Sequence, residues 1–347
     1  MNTAFVISKN GRDWFTNPTC TAASNLKKGN LMKHLWLSIA LCLFSAIAMA
    51  GEKVDQTIKA DKNGYVQIEH MNGHASIKGW ANNEVRVVGK LGDRTDKFIF
   101  ERDGNEVLIK VKVKGNRGSW SWDSDDGDEL EIFVPYDSKI NYSSTNANVE
   151  VTDIRGSSDI DTVNGNIEVV DLSGRLRIEA VNGDISARGL VGDIKIETVN
   201  GDIRDRDSKA TEAVYESVNG DINVNVGSVE VKAETVNGDI ELDLGKIEQL
   251  SLSTVNGSIE AKLELAKQGE VRASSVGGDV TLSFQSDVSA RFDLQGHAGG
   301  RIVNKLTKDK EQKAKYGPSR WLEFSHNGGN GRVKVSTVSG RIKIDKK

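Results

Sequence analysis

Residues 51–347 hold no cysteine; the two in the chain, Cys20 and Cys42, lie within the first fifty positions. Disulfides, cysteine metal sites and a cysteine nucleophile are thereby excluded from that stretch. Excess positive charge is missing as well. Residues 51–347 carry 41 basic and 49 acidic side chains, a formal net charge of −8. That balance argues against nucleic acid as a partner and is ordinary for a soluble envelope protein. A long apolar run occurs only at residues 35–47. It follows Met32-Lys33-His34 and precedes Ala48-Met49-Ala50, which together make the three parts of a secretory signal peptide. Thirteen residues are short for a transmembrane helix. The expectation is an upstream extension at 1–31, a signal peptide at 32–50, and an exported chain, periplasmic or cell-surface associated, with no integral membrane segment after cleavage.

Catalytic motifs are lacking too. No nucleophile motif stands out. His326 to Gly331 reads HNGGNG, but its glycine spacing is wrong for a phosphate loop and no strand-then-helix context surrounds it. His70 and His74 are four apart, yet a Met-Asn-Gly corner separates them, so helical zinc spacing does not apply. His297 and His326 sit in Gly-rich turns with no identifiable partner. The acidic segment 123–129 departs from an EF-hand loop because its glycine comes one place early.

What the chain has is repetition. Asn-Gly recurs at Asn164, Asn182, Asn200, Asn219, Asn237 and Asn256, at intervals of 18, 18, 19, 18 and 19 residues. A degenerate copy, Val276-Gly277-Gly278-Asp279, follows 21 residues after the last. Fixed-period similarity means one structural unit stacked on itself. Around each corner the apolar positions alternate, as in Ile178 and Ile185 or Ile196 and Ile203, which predicts two short strands per repeat. The valine before each Asn breaks the alternation and is expected to point inward. Asn and Gly would tolerate a left-handed backbone at the bend. Asn-Gly also suits a hairpin, which would give an antiparallel meander. A meander does not require the same residue in the same column six times, whereas stacked turns do. The reading is therefore all-β: a single-stranded β-solenoid with 18–19-residue turns at 141–284, its asparagines bonded up and down the stack. A smaller N-terminal β region spans 51–140, with strands expected at 65–69, 84–90, 97–101, 107–114 and 129–134. The rest, 285–347, reads as a polar insertion at 305–320 with one helical turn, then a final repeat at 332–344 that caps the stack.

The TVNGDI unit, the opening VQIEHMNGHASIKGW and EVRVVG, the step LEIFVPYDSKI and the closing VKVSTVSGRIKI resemble the bacterial putative-adhesin family of unknown function. They are similar in style to the head domain of auto-transporter adhesins. The resemblance implies an exported β-solenoid with an adhesin-like role, and it supplies no catalytic residues. The expected function is accordingly non-enzymatic binding or scaffolding in the cell envelope, with an envelope protein or a glycan as partner. The alternatives are a polysaccharide-active β-helix lyase or hydrolase, or a self-assembling structural protein.

Two groups of residues are candidate sites. Trp120 and Trp122 share a face if extended, beside Asp123, Asp125 and Asp126, an arrangement that could stack on a sugar. Asp184, Asp202, Asp221 and Asp239 follow successive corners, and Asp161, Glu179, Glu197, Glu216 and Glu234 precede them. Stacked, these form two acidic ladders whose repulsion needs an offset. Ca²⁺ is one candidate. The local alternative has Asp bonding turn amides, with Arg177, Lys195, Lys232 and Arg272 screening the Glu column.

Overall fold

A computed structural model describes residues 4–8, 52–114 and 127–347. Every regular element among the described residues is a β-strand. Strand pairing within 139–284 is parallel throughout, and each residue meets its counterpart one repeat on. Ile167 lies opposite Ile185, Ile185 opposite Ile203, and Ile203 opposite Ile222. The antiparallel meander is thus excluded for this stretch.

The five residues of the TVNGD corner each have a distinct task. The Thr or Ser points inward and is nearly buried. Its hydroxyl donates to the glycine carbonyl of the preceding rung, as in Thr198 to Gly183 (3.2 Å), Thr235 to Gly220 (3.1 Å) and Thr254 to Gly238 (3.1 Å). The Asn side chains form a continuous ladder. Asn72, Asn146, Asn164, Asn182, Asn200, Asn219, Asn237 and Asn256 are joined by Nδ2–H to Oδ1 bonds of 2.7–2.9 Å. The residue after the glycine accepts the backbone N–H of its counterpart on the next rung. Asp184 receives Asp202, Asp202 receives Asp221, and Asp221 receives Asp239, at 2.8–2.9 Å.

Glycine is needed for closeness rather than for a left-handed bend. Of the six array corners only Gly165 has a positive φ, and none of the corner asparagines does. A Cβ at Gly183, Gly201, Gly220, Gly238 or Gly257 would instead fall on the carbonyl oxygen of the corner glycine one rung back. The left-handed positions lie elsewhere, at Asp153, Asp171, Gly189 and Asp207, one rung apart on a second corner.

Inward columns of Ile160, Ile178 and Ile196, of Leu176 and Ile194, and of Ile167, Ile185, Ile203, Ile222, Ile240 and Ile259 form one apolar core. Each such side chain contributes roughly 1.5–3 kcal/mol on burial. The corner valines correct the sequence reading. Val163, Val181, Val199, Val218, Val236, Val255, Val276 and Val338 point outward, with exposures between 38% and 47%. The inward place beside each is already taken by the buried residue before it, a Thr or Ser on most rungs and Ala180 beside Val181.

Both ends of the stack are built by long-range pairing. The Tyr65–Trp80 strand lies parallel to Lys139–Thr152 with Asn72 opposite Asn146, so it supplies a rung of its own. Glu84–Lys90 pairs antiparallel with both Lys53–Lys59 and Asp128–Pro135, and Thr95–Asp103 pairs antiparallel with Glu106–Val113. At the other end, Gly331–Thr337 and Ile342–Lys346 stack on Ile259–Ser275 and Val280–Phe284. Ala290–Gly296 and Ile302–Asn304 cover their opposite side. The final repeat is therefore an inner rung and not a cap. Closure comes from Arg320–His326, antiparallel on Ala290–Gly296, with Phe324 stacked on Phe292 at 4.6 Å. The 305–320 insertion has no helical turn; it bends and adds Gln312–Lys313 beside Arg320–His326.

Candidate binding groove

Because Glu179 and Val181 sit two apart on one strand, both project from the outer face, and exact register repeats them on every rung. Asp161, Glu179, Glu197, Glu216 and Glu234 lie opposite one another in succession. Between this carboxylate row and the valine row runs an open groove of ≈ 740 Å³. It is floored by Thr162, Ala180, Thr198, Ser217 and Thr235 and reaches from Ser143 to Val255. Seven rungs at the usual strand spacing give it a length of about 29 Å.

Stacked carboxylates repel, and the cations beside them offset this. Arg177 donates to Glu179 at 2.6 Å, Lys195 meets Glu197 at 2.7 Å, and Lys232 bridges Glu216 at 2.7 Å and Glu234 at 3.0 Å. Hydrogen bonds to these carboxylates raise the pKa values of Arg177, Lys195 and Lys232. At Asp161, burial and then Asp159 push the carboxyl upward. Five acids against three bases leave the groove mildly negative. It offers acceptors along one wall and methyl groups along the other.

The sequence-predicted residues fall as follows. Trp120, Trp122, Asp123, Asp125 and Asp126 lie outside the described residues. Asp184, Asp202, Asp221 and Asp239 do align, but each gives Oδ1 to a backbone N–H. Arg204 takes Oδ2 of Asp202 at 2.6 Å and approaches that of Asp184 at 3.6 Å. One remaining oxygen per rung is far below the six to eight that Ca²⁺ gathers. No group of three His, Cys, Asp or Glu side chains among the described residues is arranged for a metal.

Sequence reasoning missed two buried polar clusters. In the array, Asp205 is fully buried; its Oδ2 accepts from Tyr215 Oη at 2.7 Å and its Oδ1 from Ser208 Oγ at 2.5 Å. The signal was there, since Asp205 interrupts the column Val169, Ala187, Val224 and Tyr215 interrupts Ile178, Ile196, Ala233.

In the N-terminal region, buried His70 places Nδ1 3.2 Å from Tyr142 Oη and Nε2 3.5 Å from Asp128. Asp128 Oδ1 also accepts from Gly92 N–H (2.7 Å) and Thr95 Oγ (2.6 Å). Burial alone would push the Asp128 carboxyl up, but His70, Thr95 and Gly92 together outweigh it and hold the group below the usual range. Its stabilisation is therefore complete above the ordinary carboxylate pKa and is lost as pH falls through the lowered value. Asp128→Asn is expected to cost about 2 kcal/mol at neutral pH and to flatten the acid side of the stability profile. Thermal melts of both proteins across pH measure this.

The family described as Toastrack DUF4097 matches residues 62–345. No protein of curated function matches the chain. Among solved structures it is similar to a "putative lipid binding protein" from Parabacteroides distasonis, at 12% identity over 85% of this chain and 98% of that one, with a TM-score of 0.40. A "putative adhesin" from the same organism shares 15% identity over 68% and 93%, TM-score 0.38. Another, from Bacteroides fragilis, shares 12% over 84% and 97%, TM-score 0.37. By a family match spanning most of its length, the chain belongs to the Toastrack DUF4097 family.

Proposed function

We propose that this is an exported, non-enzymatic binding protein of the bacterial cell envelope, adhesin-like in action, whose array is a single-stranded β-solenoid with the groove as its binding face. The leader pattern at residues 32–50 supports export to the periplasm or cell surface. In-register parallel pairing at 18- and 19-residue offsets supports the solenoid.

The observation that carries the binding role is the pairing of an exposed valine row with a carboxylate row over consecutive rungs. A catalytic site needs unequal groups converging at one point. This surface offers the same contact again and again, which suits an extended ligand held by many weak contacts. The ligand is an elongated glycan, neutral or amino-bearing. Its hydroxyl and ammonium groups donate to Glu179, Glu197, Glu216 and Glu234, its C–H faces pack on the valines, and the net negative charge disfavours uronic-acid polymers. Trp120 and Trp122, with Asp123, Asp125 and Asp126, are proposed as a second glycan contact.

The test is a glycan array probed with wild type, Val199→Asp/Val218→Asp, and Trp120→Ala/Trp122→Ala. Loss of about tenfold or more in affinity is expected for the valine variant, with intact melting behaviour. Equal binding by wild type and the valine variant removes the groove. Capture of envelope proteins without any glycan binding replaces the ligand class.

A further inference from the structure

Six Asn-Gly steps stand on the array, and Asn-Gly is the dipeptide in which a backbone nitrogen most readily attacks the preceding side-chain amide. Five of the six are tied down in the same way. The glycine N–H, which must be free to attack, donates to the Asn carbonyl of the next rung. Gly165 bonds Asn182, Gly183 bonds Asn200, Gly201 bonds Asn219, Gly220 bonds Asn237, and Gly238 bonds Asn256, at 3.0–3.1 Å. The Asn Oδ1 on each of these rungs is capped by the next Nδ2–H.

The sixth step differs in both respects. The next rung has Gly277 where an Asn would stand, so Oδ1 of Asn256 receives no ladder bond. The backbone register also shifts there, with Gly277 N–H donating to Val255 O at 2.8 Å and Val276 N–H to Thr254 O at 3.3 Å. Gly257 N–H is left without a hydrogen bond among the described residues. Asn256 is exposed, and a single side-chain bond, to Asn237 at 2.8 Å, holds it.

We propose that Asn256-Gly257 is a built-in deamidation site, the one reactive Asn-Gly step of the array. The Gly257 nitrogen attacks Asn256 Cγ. The new N–Cγ bond closes a succinimide as the Cγ–Nδ2 bond breaks, and the nitrogen leaves as ammonia with the proton given up by Gly257. Water then opens the ring at either carbonyl, to aspartate or isoaspartate. The product has no Nδ2–H for Asn237, so the ladder loses its last bond and gains a charge at that rung.

The experiment ages the full chain at mildly alkaline pH and follows each Asn-Gly step by peptide mass spectrometry with isoaspartate detection. Asn256 should convert about thirtyfold faster than Asn182, Asn200, Asn219 or Asn237, each of which must first break two hydrogen bonds. In urea-unfolded chain the difference should vanish. Gly277→Asn restores the missing rung partner, and its side chain has room, since a Cβ there meets only Val255 O at 3.4 Å and Asn256 Oδ1 at 3.6 Å. That variant should slow Asn256 toward the other five. Equal rates in the folded chain overturn the proposal. So does a difference that persists in urea, because it would come from the serine following Gly257 and not from the fold.

Discussion

Gly220→Ala is expected to destabilise the array by about 3 kcal/mol or more. The new Cβ would fall on the carbonyl oxygen of Gly201, with Asp202 N close behind. Both neighbours are backbone, so neither can rotate away as a side chain would. Relief requires the two rungs to part. Parting them also strains the Gly201 N–H bond to the Asn219 carbonyl and the Ser217 hydroxyl bond to the Gly201 carbonyl. Gly227→Ala is the matched control. Its Cβ would meet nothing within 4 Å and its φ is not left-handed, so a change within about 0.5 kcal/mol is expected. Chemical denaturation of the two variants decides the matter. Similar midpoints would show that rung spacing is softer than the corner geometry indicates.

Tyr215→Phe is expected to cost about 3 kcal/mol at neutral pH, because it withdraws a hydroxyl from a carboxylate that is fully buried from solvent. Burial pushes the Asp205 carboxyl upward, and the bonds from Ser208 and Tyr215 only partly restrain it. An acid whose folded pKa is raised destabilises the fold increasingly as pH rises from the ordinary carboxylate range through the raised value. The loss in Tyr215→Phe should accordingly be smaller in acid than at neutral pH. The double variant Asp205→Val/Tyr215→Phe should regain much of the stability, since Val169 and Val224 occupy that column on other rungs. Melting curves at two pH values test all of this. A Tyr215→Phe penalty independent of pH would mean that the hydroxyl serves packing and not the carboxylate.

The sequence made the array legible because each corner position answers to one local demand repeated at a fixed period. The Asn ladder and the inward isoleucines follow from that period alone. The outward valine was not legible. Alternation predicts one outward residue and then one inward, yet Val181 and Asn182 both face solvent because Ala180 and its Thr counterparts hold the inward place. The end rungs were hidden for another reason. Asn72 meets Asn146 and Val271 meets Val333 across separations that have no relation to 18 or 19. The groove needed the valines to be outward, so one misread residue type concealed it. Asp205 and Tyr215 were visible as interruptions of apolar columns, but only coordinates show that they meet.

The inserted rung at residues 331–346 bears on how the molecule is made. Its neighbours on one side, 259–284, and on the other, 290–304, both emerge earlier in synthesis. Rungs up to Phe284 can add one at a time in the order they appear. The far end must instead wait with a slot held open until later chain threads back into it, which makes completion of that end the step most exposed to proteolysis and to invasion by another strand.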